Sequence, residues 1–233
     1  MLNNMPIVLN QDAFSVLASS QDEHRWRGRP LRPWIQAVGR VPSCELTSLE
    51  TDHPSREQLT AFCSVSSRDA LDLFLAISAW GGMKVRHAQS ALSHEEALRE
   101  ALGALRDPAL RDRREAYTIF RTARAAGRLP GIGPAYYTKL IFFVRPDLNG
   151  YIMDQWTARS VNLLTQQNAI NLGKEWNVLD DNTADGYERF CQHIEHIASE
   201  LDVSPVAAEM RLFSYGGRRP GRWRLYVKGC RRD

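Results

Sequence analysis

The sequence predicts an all-α protein of two helical lobes. Three observations predict it. Helix-start signals recur ahead of apolar runs, no segment alternates apolar and polar residues with strand period, and a glycine-rich turn, Leu129-Pro-Gly-Ile-Gly133, joins two of the runs. The 233 residues, 43% of them hydrophobic, suffice for a sizeable core. There is no internal repeat.

The elements follow in order. Residues 1–54 are rich in Pro, Gly, Ser and charge and show little periodicity. They predict an irregular N-terminal arm with room for one short helix or strand. A helical core is expected over 55–215. Ser55-Arg-Glu-Gln58 and Ser93-His-Glu-Glu96 have the spacing of a capping box. Ser67 or Asp69 can cap the run ALDLFLAISAW, which Gly81-Gly82-Met83 stops. The helix over 93–106 gives way at Asp107-Pro108 to a second, running to Ala126. Pro134 opens a helix that Arg145-Pro146 closes at Val144. Residues 152–165, 186–200 and 204–214 complete the series, the last with Ser204 as cap and Pro205 in the first turn. Residues 216–233 read as a basic C-terminal tail.

Composition narrows the function classes. No run of ~18 apolar residues exists, so no membrane partner is expected. The opening MLNNMPIVLNQDAF lacks the basic flank and apolar run of a secretory signal. Cys44, Cys63, Cys191 and Cys230 are scattered, without a C-x-x-C pair, which predicts free thiols, a cytoplasmic setting and no metal or other cofactor. The net charge is only +3 but unevenly spread. His24–Arg40 carries five arginines and no acid, and Gly216–Asp233 carries six arginines and one lysine against one acid. Both interleave arginine with Trp or Tyr, a mixture suited to phosphates and exposed bases, though also to a solvated surface.

The glycine turn is the sharpest local signal. Gly131 and Gly133 let the backbone turn tightly and approach a ligand. The helix after them offers unpaired N–H groups and the positive end of its dipole, which together make a phosphate site. Ile132 is expected to point inward and pin the turn. A plain turn between helices would use similar residues. Downstream, Lys139 sits in the apolar run LIFF, and Asp154 follows Tyr151-Ile-Met153, where an isolated acid is costly to bury.

The pattern L-P-G-I-G at a helix start, followed by M-D-Q-W-T-A-R, resembles the helix-hairpin-helix (HhH-GPD) DNA glycosylase superfamily over residues 67–215. It is most similar to the 8-oxoguanine DNA glycosylase branch and its small bacterial relatives. The resemblance implies a cleft between the lobes with the hairpin at its rim, and a phosphate bound by Gly131 and Gly133. It also implies a catalytic carboxylate at Asp154. The family form V-D-x-H-V-x-R places Arg159 with the DNA contacts and finds Trp156 where a histidine is usual. The nucleophilic lysine of bifunctional members falls on Ala135 here, one helical turn before Lys139. Either Lys139 has taken over from the next turn, or Asp154 works with water alone.

The chemistry explains the residue types. Breaking an N-glycosidic bond builds positive charge on the sugar, which a carboxylate stabilises. A neutral lysine amine can attack C1′ and form a Schiff base, and apolar neighbours favour the neutral form. Lys139 could instead carry its charge to the surface, and Asp154 could serve as a helix N-cap. A base everted from the duplex needs a pocket, for which Trp80, Tyr136, Phe143 and Trp156 are candidates. Arg218, Arg219 and Arg222 are candidate phosphate contacts in the tail. The reading is a monomeric enzyme acting on double-stranded DNA. It would excise oxidised guanine, or a hypermodified base such as glucosylated hydroxymethylcytosine of phage DNA in antiviral defence. The alternative is a non-catalytic helix-hairpin-helix DNA-binding protein.

Overall fold

The computed structural model describes residues 7–20, 26–49, 52–215 and 219–230. Among these the chain forms thirteen α-helices, with β pairing confined to two isolated bridges. The protein is therefore all-α, as expected. No helix among the described residues is long and apolar enough to cross a membrane. The chain divides into two compact units, a central one, Arg27–Ile152, and a terminal one made of Met1–Trp26 and Met153–Asp233.

The central unit is organised around α5 (Ala70–Trp80), ten of whose eleven residues are buried. A helix apolar on all sides belongs in an interior. It packs against α2 (Leu31–Ala37), α3 (Cys44–Thr47), α4 (Arg56–Cys63), α7 (Glu95–Arg106) and α9 (Pro134–Val144). The charge inside α5 is accommodated by a partner. Asp72 accepts a hydrogen bond from Ser43 Oγ at 2.6 Å, while burial pushes its carboxyl above the usual range. Helix α6 (Val85–Leu92) packs on α7, and α8 (Arg113–Ala125) packs on α7 and α9. A short 3₁₀ turn, Pro146–Leu148, follows α9. Each fully buried Phe or Leu of this core contributes about 1.5–3 kcal/mol.

The terminal unit is organised around α10 (Gln155–Thr165). It contacts α1 (Gln11–Ala18), α11 (Ala184–Glu200), α12 (Pro205–Phe213) and α13 (Arg222–Gly229). Ser160 ties three of these together. Its hydroxyl donates to Leu212 O at 3.0 Å and accepts from Trp223 Nε1 at 2.9 Å. The amide of Asn10, the cap of α1, donates to Leu164 O at 2.7 Å.

The structure differs from the sequence reading at four places. The N-terminal segment, expected to be irregular, carries α1, α2 and α3. Asn10 and Ser43 cap the first and third, and Leu17, Leu31 and Ile35 are buried. Pro33 lies in the first turn of α2, where its missing N–H is tolerated. The expected basic tail carries α13, which buries Trp223 and Val227. Ser93 opens no helix, because α6 ends there and α7 begins at Glu95. The helix expected from Pro108 begins at Arg113, where Asp112 accepts from two backbone amides.

Candidate active site

The hairpin is the stretch between α8 and α9, in the central unit. Leu129 and Ile132 are wholly buried and anchor it. Gly131 has φ +79°, and a Cβ there would fall 2.3 Å from His87 O, so both conformation and space require glycine. Gly133 is the N-cap of α9 and Pro134 its first residue, which leaves the first-turn amides without a capping side chain. The surroundings are basic. Lys84, Arg86 and Arg124 all act on His87, whose imidazole is held below its usual range by burial first and then by these charges. The sequence reading did not single out Lys84, Arg86 or Arg124. The run KVRH directly after the Gly81-Gly82-Met83 stop was the available signal for the first two.

Lys139 lies one turn into α9 and is 6% exposed. Its ammonium bends back along the helix and donates to Ala135 O at 2.8 Å. The amine is thus delivered to the turn of residue 135. Nζ also lies 5.4 Å from the centroid of the Tyr136 ring. The carbon stem is guided by Gly81, where a Cβ would fall 2.8 Å from Lys139 Cδ. The Gly-Gly stop after α5 therefore makes room for the lysine as well as ending a helix.

Asp154 lies in the terminal unit as the N-cap of α10. Its Oδ1 accepts from Trp156 N at 2.8 Å and Thr157 N at 3.1 Å, and its own amide donates to Thr157 Oγ1 at 3.0 Å. Oδ2 carries no hydrogen bond among the described residues. One oxygen alone holds the helix start, so capping does not occupy the whole carboxylate.

Behind Asp154 runs a ladder of alternating rings and guanidinium groups. Arg159 lies between Trp176, at 4.0 Å from the centroid, and Trp156, at 4.9 Å. Arg224 covers Trp156 at 4.4 Å, and also lies over Phe213 at 4.2 Å and Tyr215 at 5.0 Å. Trp26 closes the end, edge-on to Phe213 and Tyr215. Nε of Arg224 donates to Phe213 O at 2.8 Å, and Nη2 bonds the same oxygen. Burial pulls the Arg224 guanidinium down to about 10 against the supporting charges of Asp154 and Tyr215.

The other candidates fall as follows. Arg159 is 8% exposed, donates to Val227 O at 2.9 Å and is stacked between two rings, so little of it faces solvent. Trp156 is partly exposed but flanked by two guanidinium groups. Phe143 is fully buried and Trp80 nearly so, and the two rings pack edge-to-face at 4.9 Å in the central core. In this conformation neither offers a face to a base. Tyr136 is partly exposed. Arg219 and Arg222 are exposed, while Arg218 lies outside the described residues.

A family model described as "Putative 8-oxoguanine DNA glycosylase OGG-like protein" matches residues 17–213. No curated protein and no solved structure matches the chain.

Proposed function

The chain belongs to the 8-oxoguanine DNA glycosylase OGG-like family, and we propose that it excises a modified base from double-stranded DNA, with oxidised guanine the first candidate. Lys139 serves as the amine nucleophile and Asp154 as the carboxylate. The observation that carries the reading is the bond from Lys139 Nζ to Ala135 O. It supports an amine that serves the vacant residue-135 position from the next turn. Attack at C1′ needs that amine in its neutral form.

In this mechanism the C1′–N bond to the base breaks and the base leaves with a proton. The free oxygen of Asp154 stabilises the positive charge that develops on the sugar. The Lys139 nitrogen forms a bond to C1′ and gives up two protons, one to the departing base and one to the ring oxygen O4′, as the C1′–O4′ bond breaks and a Schiff base forms. Hairpin amides at Gly131 and Gly133, with the basic groups near His87, hold the DNA phosphate. Arg219 and Arg222 add exposed charge from the terminal unit.

Borohydride trapping on duplexes containing oxidised guanine tests this, with glucosylated hydroxymethylcytosine DNA as a second substrate. The expected result is a covalent protein–DNA adduct that Lys139→Ala abolishes. Abasic product without an adduct would replace the amine by water. Salt-sensitive binding without abasic product, indifferent to Asp154→Asn, would make the protein a non-catalytic hairpin binder.

A further inference from the structure

The longest helix-free stretch among the described residues is 166–183, between α10 and α11. Loops of this length without a task are uncommon. This one is tightly built. Leu172 and Val178 form an antiparallel bridge, and Gly173 N donates to Asn177 O at 2.8 Å. The Asn182 amide takes both polar groups of Asn171 and also Leu179 O. Asn162, on α10, takes both polar groups of Ile170. The result is a fixed arch over a cavity of about 850 Å³.

Gln166, at φ +52°, is left-handed as the C-cap of α10. Trp176, which also lines the cavity, has left-handed backbone at φ +65° within the loop. Such a conformation at a bulky residue persists where the surroundings enforce it, and it is found most often at binding sites. The lining chemistry is selective. Gln166, Gln167 and Asn168 bring side-chain amides, Trp176 brings an aromatic ring over Arg159, and Asp181 brings the opposing charge. One positive and one negative charge do not suit a polyphosphate, and amide-rich walls do not suit a lipid. A carboxamide presents acceptor and donor side by side, the complement of a base edge.

We propose that this arch cavity binds a neutral nucleobase or nucleoside, at the opposite end of α10 from Asp154. The arch rises from the C-terminal end of α10, whereas Asp154 caps its N-terminal end, and Arg159 between them belongs both to the cavity wall and to the ladder behind Asp154. The proposal stands independently of base excision.

Isothermal titration and thermal melting of the intact protein with guanosine, adenosine and cytidine test it, with glucose and inorganic phosphate as controls. At least one nucleoside should bind with a Kd on the order of 0.1–1 mM and raise Tm with concentration. Trp176→Ala should weaken that binding about 5- to 150-fold, the loss of one base–aromatic stack. The double variant Gln167→Ala/Asn168→Ala removes two exposed side chains that make no hydrogen bond among the described residues, so the fold is kept, and binding should weaken about 5-fold or more. Absence of nucleoside binding below about 10 mM would overturn the proposal. So would equal binding of glucose, or affinity unchanged in the double variant. Binding lost in Asp154→Asn but retained in the double variant would assign the nucleoside to the reaction site and also overturn it.

Discussion

The two places proposed to carry the chemistry are built in opposite ways. The hairpin of the central unit is local, in that the signals from Gly127 to Lys139 lie in consecutive residues and their conformation follows from them. The support behind Asp154 is assembled from afar. Its ladder draws on Trp26, Trp156, Arg159, Trp176, Phe213, Tyr215 and Arg224, and the bond from Arg159 reaches 68 residues along the chain to Val227. A site made of backbone geometry is set by a few residue identities. A site made of stacked side chains depends on the packing of a whole unit.

The largest expected effect separates chemistry from support. Asp154→Asn retains a good N-cap but loses the charge. It should lower base release by about 10²–10³-fold, the scale of removing one preorganised electrostatic group, with Tm nearly unchanged. A Tm loss as large as that of an Ala cap variant would mean that capping is the main task of this residue.

The local site is next. Gly131→Ala meets both a left-handed φ and the His87 carbonyl, whereas Gly127 has φ +71° with nothing within 4 Å of a Cβ. Urea unfolding should show a loss of about 2–3 kcal/mol for Gly131→Ala and about 1 kcal/mol for Gly127→Ala. Equal losses would mean that the close approach to His87 is not what fixes the turn.

The assembled site should respond to charge and shape together. Arg224→Gln removes a guanidinium that covers three rings, and about 2 kcal/mol of stability should go with it. Arg224→Lys should recover less than half, since an ammonium cannot stack as a planar group. Full recovery by lysine in urea unfolding would reduce the ladder to a simple charge effect.

A pH effect of similar size sets the two units against each other. Burial holds His193 of α11 down to about 4, with the neighbouring charges of His196 and Arg189 adding to the effect. The unfolded chain binds a proton near 6.5 that the folded chain refuses, so stability falls as pH drops from 6.5 to about 4. The loss should be on the order of 2 kcal/mol and absent in His193→Leu. Asp72 acts with the opposite sign. Its raised pKa means that the folded state takes up a proton first, so acidification through that pKa adds stability to the central unit. Identical pH dependence of unfolding in wild type and His193→Leu would show that His193 is neutral for some other reason, or charged.

The contrast also explains what could be read from the sequence. The hairpin, Lys139 and Asp154 were legible because their signals are short-range, namely glycine positions, caps and an out-of-place charge. Helix α6 was not, since Lys84 supplies no capping bond and its buried face is the small set Ala88, Ala91 and Leu92. Helix α13 was obscured by arginines that look like surface. Arg224 is 7% exposed because the rings of Trp156, Phe213 and Tyr215 cover it. The base-pocket candidates show the limit of periodicity. It identifies Trp80 and Phe143 as inward-facing but cannot tell a packed core from an open pocket.

The division of the chain sets an order of synthesis. The central unit is one continuous segment, whereas α10 contacts α1 from one end of the sequence and α13 from the other. A ribosome releases residue 152 long before residue 229, so the amine-bearing half can mature during translation while the carboxylate-bearing helix waits for α13. A nascent chain stalled between these points would present a finished lysine and an unfinished aspartate. The support of the proposed carboxylate would thus be completed only after the central unit that holds the proposed amine.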